Sequence, residues 1–231
     1  EIVLTVVVVA YDCDKDRLVT LCRRVISMKS VEVLIVDNSN DNRFEDVFRN
    51  SGCEYLSGSN QNLDLGGYLE GYTKLMEDGT RCSDGYVFLN DISLKKHFSF
   101  MLIAWIYSIN RFGSKRNVAG LLERYSSLKY LNTNAIYLSG YAASIVYDLI
   151  INLKKSQYSD YYRIYSVVNS NWKPAKARLT SHLYYRKKRM VTFEKLLSTE
   201  LSQHFQLSGS TILFVSRLFK KANNWFESYF L

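Results

Sequence analysis

Residues 33–41 read VLIVDNSND, and this stretch decides the fold. Val33, Leu34, Ile35 and Val36 follow one another with no polar alternation, which marks a strand covered on both faces. The run, counted from Val31, stops abruptly at the polar turn Asp37-Asn38-Ser39-Asn40-Asp41. Upstream, Ile2 to Val9 is a second run of the same kind. Between the two, Asp14 or Asp16 can cap a helix whose apolar positions Leu18, Leu21, Cys22, Val25 and Ile26 keep helical spacing.

Downstream the alternation continues. A short helix is expected over Arg43–Asn50, a strand over Cys53–Ser57, and a helix opened by Gly66-Gly67 and running to about Met76. A fourth strand, Tyr86–Leu89, ends at Asn90-Asp91. Strand and helix alternating in this way predict an α/β chain with a doubly wound, mostly parallel central sheet flanked by helices. Ligands of such sheets bind outside the carboxyl ends of the strands. Those ends carry Tyr11-Asp12, Asp37-Asn38, the segment from Asn60 to Asp64, and Asn90-Asp91, so four polar clusters are expected on one edge.

Past Asp91 the pattern loosens. A helix is expected over Phe98–Ile109, strands near Val118–Leu122 and Ala135–Leu138, and a helix over Ala142–Leu153. From Ser181 the chain carries the basic knot Arg186-Lys187-Lys188-Arg189 and two helical stretches, Phe193–Phe205 and Ile212–Phe230. In the last of these, Val215, Leu218, Phe219, Ala222, Trp225, Phe226 and Tyr229 form one apolar stripe. The expected organisation is a domain over 1–180 with a basic, amphipathic helical extension over 181–231.

The bulk properties agree. With 231 residues, 47% of them apolar, 23% charged and one proline, the chain suits one large globular domain with a modest appendage. Cys13, Cys22, Cys53 and Cys82 show no CxxC pairing, which points to reduced thiols in a cytoplasmic protein, not to a zinc site or a disulfide frame. No secretory signal is visible, and no apolar run approaches the ~20 residues of a membrane span. The sequence enters its first strand almost at Glu1, as a trimmed chain or a piece of a larger polypeptide would. Residues 154–231 hold 14 Lys/Arg against 4 Asp/Glu, so the net +8 belongs to the last third. A basic tail on a neutral domain fits an anionic partner such as a lipid surface or a pyrophosphate-bearing acceptor. Nucleic acid fits less well, because no recognition motif is present and acidic strand ends repel phosphates.

Familiar phosphate loops are missing: there is no GxxxxGK[ST], no GxGxxG after the first strand, and no Gly-rich pyrophosphorylase signature. What is present resembles the GT-A glycosyltransferases of glycosyltransferase family two, of the bacterial surface-polysaccharide type (O-antigen or capsule). VVVVAYDCD (6–14) is similar to the family's first strand, and VLIVDNSND to its VDNxSxD turn. NQNLDLGGYLEGY (60–72) resembles its NxGxGGxxNxG segment, and DGYVFLNDISL (84–94) the strand with its DXD-like motif.

The resemblance implies a Rossmann-like GT-A fold and inverting, metal-assisted transfer from a nucleoside-diphosphate sugar, UDP-sugar favoured. The acceptor would be a glycan or a lipid-linked glycan. By position it puts Tyr11 and Asp12 near the base, Asp37 on base or ribose with Asn38 supporting the turn, and Asn62, Asp64, Gly66, Gly67 and Asn90 along the donor pocket. Asp91 would hold Mg²⁺ or Mn²⁺, although Leu89-Asn90-Asp91-Ile92 supplies one carboxylate where the motif has two. LSGYAASIVYD (138–148) with YSDYYRIY (158–165) looks like the acceptor-side region, which makes Asp160 the candidate base and Asp148 the next. FEKLLSTEL (193–201) resembles a late ExxLSxxL segment and adds Glu194, while His182 beside Tyr184 and Tyr185 is a phosphate-binding candidate. The basic tail would rest on the inner face of the membrane or against a partner subunit. A different class of protein is also open: a degenerate domain that binds nucleotide or glycan, or scaffolds a partner.

Overall fold

All seven residues of β1, Leu4–Ala10, are buried. The two-residue period of a strand explains how both faces are used. Leu4, Val6, Val8 and Ala10 join one apolar cluster, and Val7 and Val9 join another on the opposite face. β2 (Val31–Asp37) divides the same way, with Val33 and Ile35 on the first face and Leu34 and Val36 on the second. A sheet covered on both sides is what an uninterrupted aliphatic run requires.

The computed structural model describes residues 3–39, 41–49, 51–59, 63–77, 83–113, 116–125, 128–155, 194–195 and 197–230. Within them the other strands are β3 (Glu54–Ser57), β4 (Gly85–Asn90), β5 (Val118–Tyr125), β6 (Leu128–Ser139) and β7 (Leu207–Gly209). They form one sheet in the order β3-β2-β1-β4-β6-β5-β7. Pairs β1–β2, β1–β4, β2–β3 and β5–β7 are parallel, while β6 runs antiparallel to β4 and β5. This is a mostly parallel α/β sheet of Rossmann-like form.

The helices are α1 (Lys15–Ile26), α2 (Glu45–Phe48), α3 (Leu63–Glu77), α4 (Asp91–Lys96), α5 (Ser99–Phe112), α6 (Gly140–Lys155), α7 (197–204) and α8 (Thr211–Phe230). The α1 side chains Leu18, Leu21, Cys22 and Val25 and the α5 side chains Leu102, Trp105, Ile106 and Ile109 cover the first face. Tyr68, Tyr72 and Leu75 of α3, Ala142 and Ala143 of α6, and Leu197 and Leu201 of α7 cover the second. Asp14 caps α1, its side chain accepting the amides of Asp16 and Arg17.

Four details differ from the sequence reading. The helix expected over 43–50 is only the four residues of α2. α3 starts at Leu63, so Gly66 and Gly67 lie inside the helix and do not open it. A Cβ on Gly67 would stand 2.7 Å from Val9 Cγ1, and one on Gly71 2.8 Å from Val7 Cγ1. These glycines, one helical turn apart, let α3 lie directly on β1. β6 is also longer than expected, because polar residues 132–134 read as loop yet continue the strand through a register shift opposite Gly120/Leu121.

The last helix turns a different face inward from the expected stripe. Leu213 and Ser216 are buried, whereas Leu218 and Phe219 are 52% and 61% exposed. Ser216 Oγ accepts the Phe98 amide at 3.2 Å, and Arg217 pairs with Glu123 of β5. A small hydroxyl and a paired guanidinium therefore occupy the packing face, which an apolar count passes over.

Candidate functional site

The chain leaves β1 toward β2 and β3, then returns to β4 on the other side of β1. Ligands of such sheets usually sit in a crevice where the strand order reverses, which here is the edge at the ends of β1 and β4. Tyr11-Asp12 and Asn90-Asp91 flank it. They are tied together, since the Asp12 amide donates to Asp91 Oδ2 at 2.8 Å. Asp91 is itself buried at the start of α4, while the Tyr11 ring is 47% exposed.

Asp37 sits at the same edge, one strand over, opposite Ala10. Its side chain faces inward. Oδ1 accepts the Ser39 amide at 2.9 Å and the Ser39 hydroxyl at 2.5 Å, and Oδ2 accepts the Phe44 amide at 3.0 Å and the Tyr55 hydroxyl at 2.7 Å. With no exposed surface and four donors on two oxygens, this carboxylate organises the turn and presents nothing to a ligand as it stands. Burial, followed by the bond to Asp37, drives the Tyr55 phenol upward. Asn38 is buried beside it, and its amide extends the ladder to Ala10 O at 2.8 Å. Its side chain lies between Gly58 and Gly67: a Cβ would fall 2.0 Å from Oδ1 at the first and 3.0 Å from Nδ2 at the second.

Asn90 is committed to structure as well. Its Oδ1 accepts the Ser93 amide at 3.1 Å, capping α4, and its Nδ2 donates to Asn134 Oδ1 at 3.0 Å. Asn134 belongs to the irregular stretch of β6, whose Thr133 donates amide and hydroxyl to Glu194 at 3.0 and 2.7 Å. A continuous polar link thus runs from the buried Glu194 through residues 133 and 134 to the β4 end. Burial pushes the Glu194 carboxyl up, with the Thr133 bonds opposing.

On the solvent side the crevice is cationic. Arg43 Nη2 lies 3.1 Å from Asp12 Oδ1 and 3.3 Å from Cys13 O, and Lys95 Nζ lies 3.9 Å from Asp12 Oδ2. Arg43 is held by its amide on Ser39 Oγ at 3.1 Å and by its guanidinium over the Phe44 ring at 4.9 Å. The Cys13 thiol registers the same charges: burial and then Asp91 push it up to about 12, against Arg43 and Lys95. A thiol so placed is inert, and Cys13, Cys22 and Cys53 are all unbridged.

The other expected site residues are placed as follows. Gly66 and Gly67 are buried in α3, and Asp64 is the second residue of that helix. Asp148 is exposed on α6, and no hydrogen bond or ion pair among the described residues joins it to the crevice. Asn62, Asp160, His182 and residues 186–189 lie outside the described residues. Arg43, Lys95 and Asn134 were not anticipated. Only the position of Arg43 just after the 37–41 turn offered a signal.

A protein-held divalent cation takes several hard oxygen ligands. Among the described residues no group of three His, Cys, Asp or Glu side chains gathers. Asp91 brings one carboxylate, with Oδ2 engaged by the Asp12 amide. The next carboxylate, Asp12, stands between two cations. This donor set does not fit a resident dication.

No family model matches the chain, and no characterised protein matches it in sequence. Solved structures resemble it in part. A cytidylyltransferase from Leptospira borgpetersenii serovar Hardjo-bovis is 14% identical, with a TM-score of 0.44 over 91% of this chain and 76% of that one. Glucosyl-3-phosphoglycerate synthase from Mycobacterium tuberculosis, in complex with Mn²⁺, UDP and glucosyl-3-phosphoglycerate, is 12% identical, with a TM-score of 0.38 over 60% of this chain and 57% of its own. A 4-diphosphocytidyl-2C-methyl-D-erythritol synthase is 11% identical, with a TM-score of 0.43 over 82% of this chain and all of its own. Likeness at this level carries neither a fold assignment nor a residue role.

Proposed function

We propose that the protein is a nucleotide-sugar-dependent glycosyltransferase that passes a sugar, with inversion, to a glycan or lipid-linked acceptor in polysaccharide biosynthesis. The observation that carries this reading is the meeting of the β1 and β4 ends at the strand-order reversal, where the Asp12 amide is bonded to Asp91 and Tyr11 offers an open aromatic face. A planar base can stack on that face, and backbone and hydroxyl groups at the β1 and β2 ends can meet a ribose. Asp37, Asn38 and Asn90 hold the strand ends in register around it. Gly66, Gly67 and Asp64 belong to the α3 wall, and Asn62 to the segment leading into it.

Transfer requires a base for the acceptor hydroxyl, for which Asp160 is the first candidate and Asp148 the second. The sequence resemblance gives the diphosphate a divalent cation on Asp91; the donor set favours cationic side chains instead. A uridine diphosphate donor rests on the resemblance alone.

Residues 181–231 form, in this reading, an extension whose α7 and β7 pack on the domain and whose α8 presents its outer face to solvent. No helix among the described residues is long and apolar enough to cross a membrane. The exposed Phe214, Leu218 and Phe219 beside Lys220 and Lys221 support seating at the cytoplasmic face of an anionic bilayer.

A thermal-shift screen of nucleoside diphosphates, with and without Mn²⁺, tests the reading. Stabilisation by one nucleotide is expected, on the order of 3 kcal/mol at a hundred times its Kd. Absence of any shift would remove the donor site. The second reading, a binding or scaffold domain, is favoured by the single-carboxylate turn at Asn90-Asp91. It is the outcome if a nucleotide binds but its sugar donor is never turned over.

A further inference from the structure

The proposed donor site has a diphosphate to neutralise and a donor set that does not suit a metal. The cations at hand stand on the same edge. Arg43 follows the β2 turn, Lys95 lies on α4, and both converge on the Asp12 carboxylate just after β1. Asp12 is 70% exposed and Lys95 is 56% exposed, so an incoming anion can reach between them. Arg43 is 32% exposed and prearranged by Ser39, Phe44 and Cys13, and its Nε is buried without a hydrogen bond among the described residues. A guanidinium held this way loses little freedom on binding phosphate, for which its planar fork is suited.

We propose that Arg43 and Lys95 form the diphosphate-binding site of the donor pocket, with phosphate oxygens exchanging for the Asp12 carboxylate between them. The inference rests on the donor reading above. In the transfer, the acceptor oxygen forms a bond to the anomeric carbon as that carbon's bond to the distal phosphate oxygen breaks. The electron pair of the broken bond goes to the departing diphosphate, and the hydroxyl proton goes to the base. Arg43 and Lys95 meet the charge that develops on the departing oxygen, as preorganised donors do without reorganising. Until phosphate arrives, the Asp12 carboxylate bridges the two cations and offsets their mutual repulsion.

Titration calorimetry in EDTA tests this with uridine, UMP and UDP, and with the cytidine, adenosine and guanosine series. The whole protein is compared with Lys95→Met and Asp12→Asn, two substitutions at exposed side chains. One diphosphate is expected to bind the wild type in EDTA. Lys95→Met should weaken it by about ten-fold or more, from the loss of one charge-assisted contact. Asp12→Asn should tighten it several-fold by removing the competing carboxylate, and Lys95→Met should weaken the diphosphate far more than the bare nucleoside. Equal diphosphate affinity in Lys95→Met, weaker binding in Asp12→Asn, or binding that appears only with Mn²⁺ would overturn the inference while leaving the donor reading standing. Failure of every nucleotide to bind, with or without Mn²⁺, would overturn the donor reading and this inference together.

Discussion

Glu194 holds Thr133 by both its amide and its hydroxyl, across a sequence separation of 61 residues. One helical turn on, Ser198 Oγ accepts the Leu131 amide at 2.8 Å. Glu194 and Ser198 thus supply acceptors to β6 beyond Ala135, where its pairing with β4 ends and Thr133 falls in the register shift against β5. The irregular stretch they stabilise is the one that delivers Asn134 to Asn90.

Replacing Glu194 by Ala should therefore leave a buried amide and hydroxyl without an acceptor, at a cost of about 2–3 kcal/mol in urea unfolding. Glu194→Gln keeps an oxygen acceptor and should cost much less. The two also differ with pH. Because the folded Glu194 pKa is raised, its contribution is fully present below the unfolded value and is lost as pH rises through the folded one. Wild type should lose stability relative to Glu194→Gln as pH climbs above about 4.5. Parallel pH profiles for the two proteins would show that Glu194 is not buried in this way.

Asp37 gives a second prediction. Asn in its place has one acceptor oxygen and an NH₂ that confronts two of the four present donors. Asp37→Asn should cost on the order of 3 kcal/mol, and Tyr55→Phe, which removes one donor, about 1 kcal/mol. Nucleotide affinity should fall only as far as the turn loosens. If Asp37→Asn is as stable as wild type yet abolishes nucleotide binding, the carboxylate contacts ligand directly.

β1, β2 and β4 were legible because they bury both faces, and no other role explains runs such as Val6 to Val9. The position of Asp37 was legible for the same reason, at the end of such a run. Its saturation by Phe44 and Tyr55 was not, since those donors come from elements after the turn. Likewise nothing in the spacing connects Glu194 with Thr133, or Arg43 with Lys95; the fold alone brings them together. In α8 hydrophobicity selected Leu218 and Phe219, but packing selected Ser216 and the Glu123-paired Arg217, because polar atoms with partners can be buried. The same limit applies to His97, which a sequence gives no reason to bury.

His97 is buried at the end of α4, and its Nδ1 has no hydrogen-bond partner among the described residues. Burial, then the charges of Arg217 and Lys96, lower its pKa to about 4. The unfolded chain binds the proton more readily, so this contribution is intact above the unfolded value, near 6.5, and is lost as pH falls toward 4. Urea midpoints measured across that window should decline in the wild type and decline less in His97→Gln. Identical acid limbs would place the charging elsewhere.

The contact of α3 with β1 gives the sharpest packing test. A Cβ on Gly67 would come within 2.7 and 2.8 Å of the two Val9 methyls and 3.0 Å of Asn38 Nδ2. Val9 is buried in the sheet and cannot swing aside. Ala is the better helix former by about 1 kcal/mol, but overpacking at a fixed core costs about 1–3 kcal/mol, so Gly67→Ala should destabilise. The penalty should shrink when Val9→Ala is already present, because the clashing methyls are then gone. A double-mutant cycle of unfolding free energies would show this as a coupling of at least about 0.5 kcal/mol. Additive effects, or a raised Tm in the single Gly67→Ala variant, would mean that α3 stands further from β1 than the glycine contacts require.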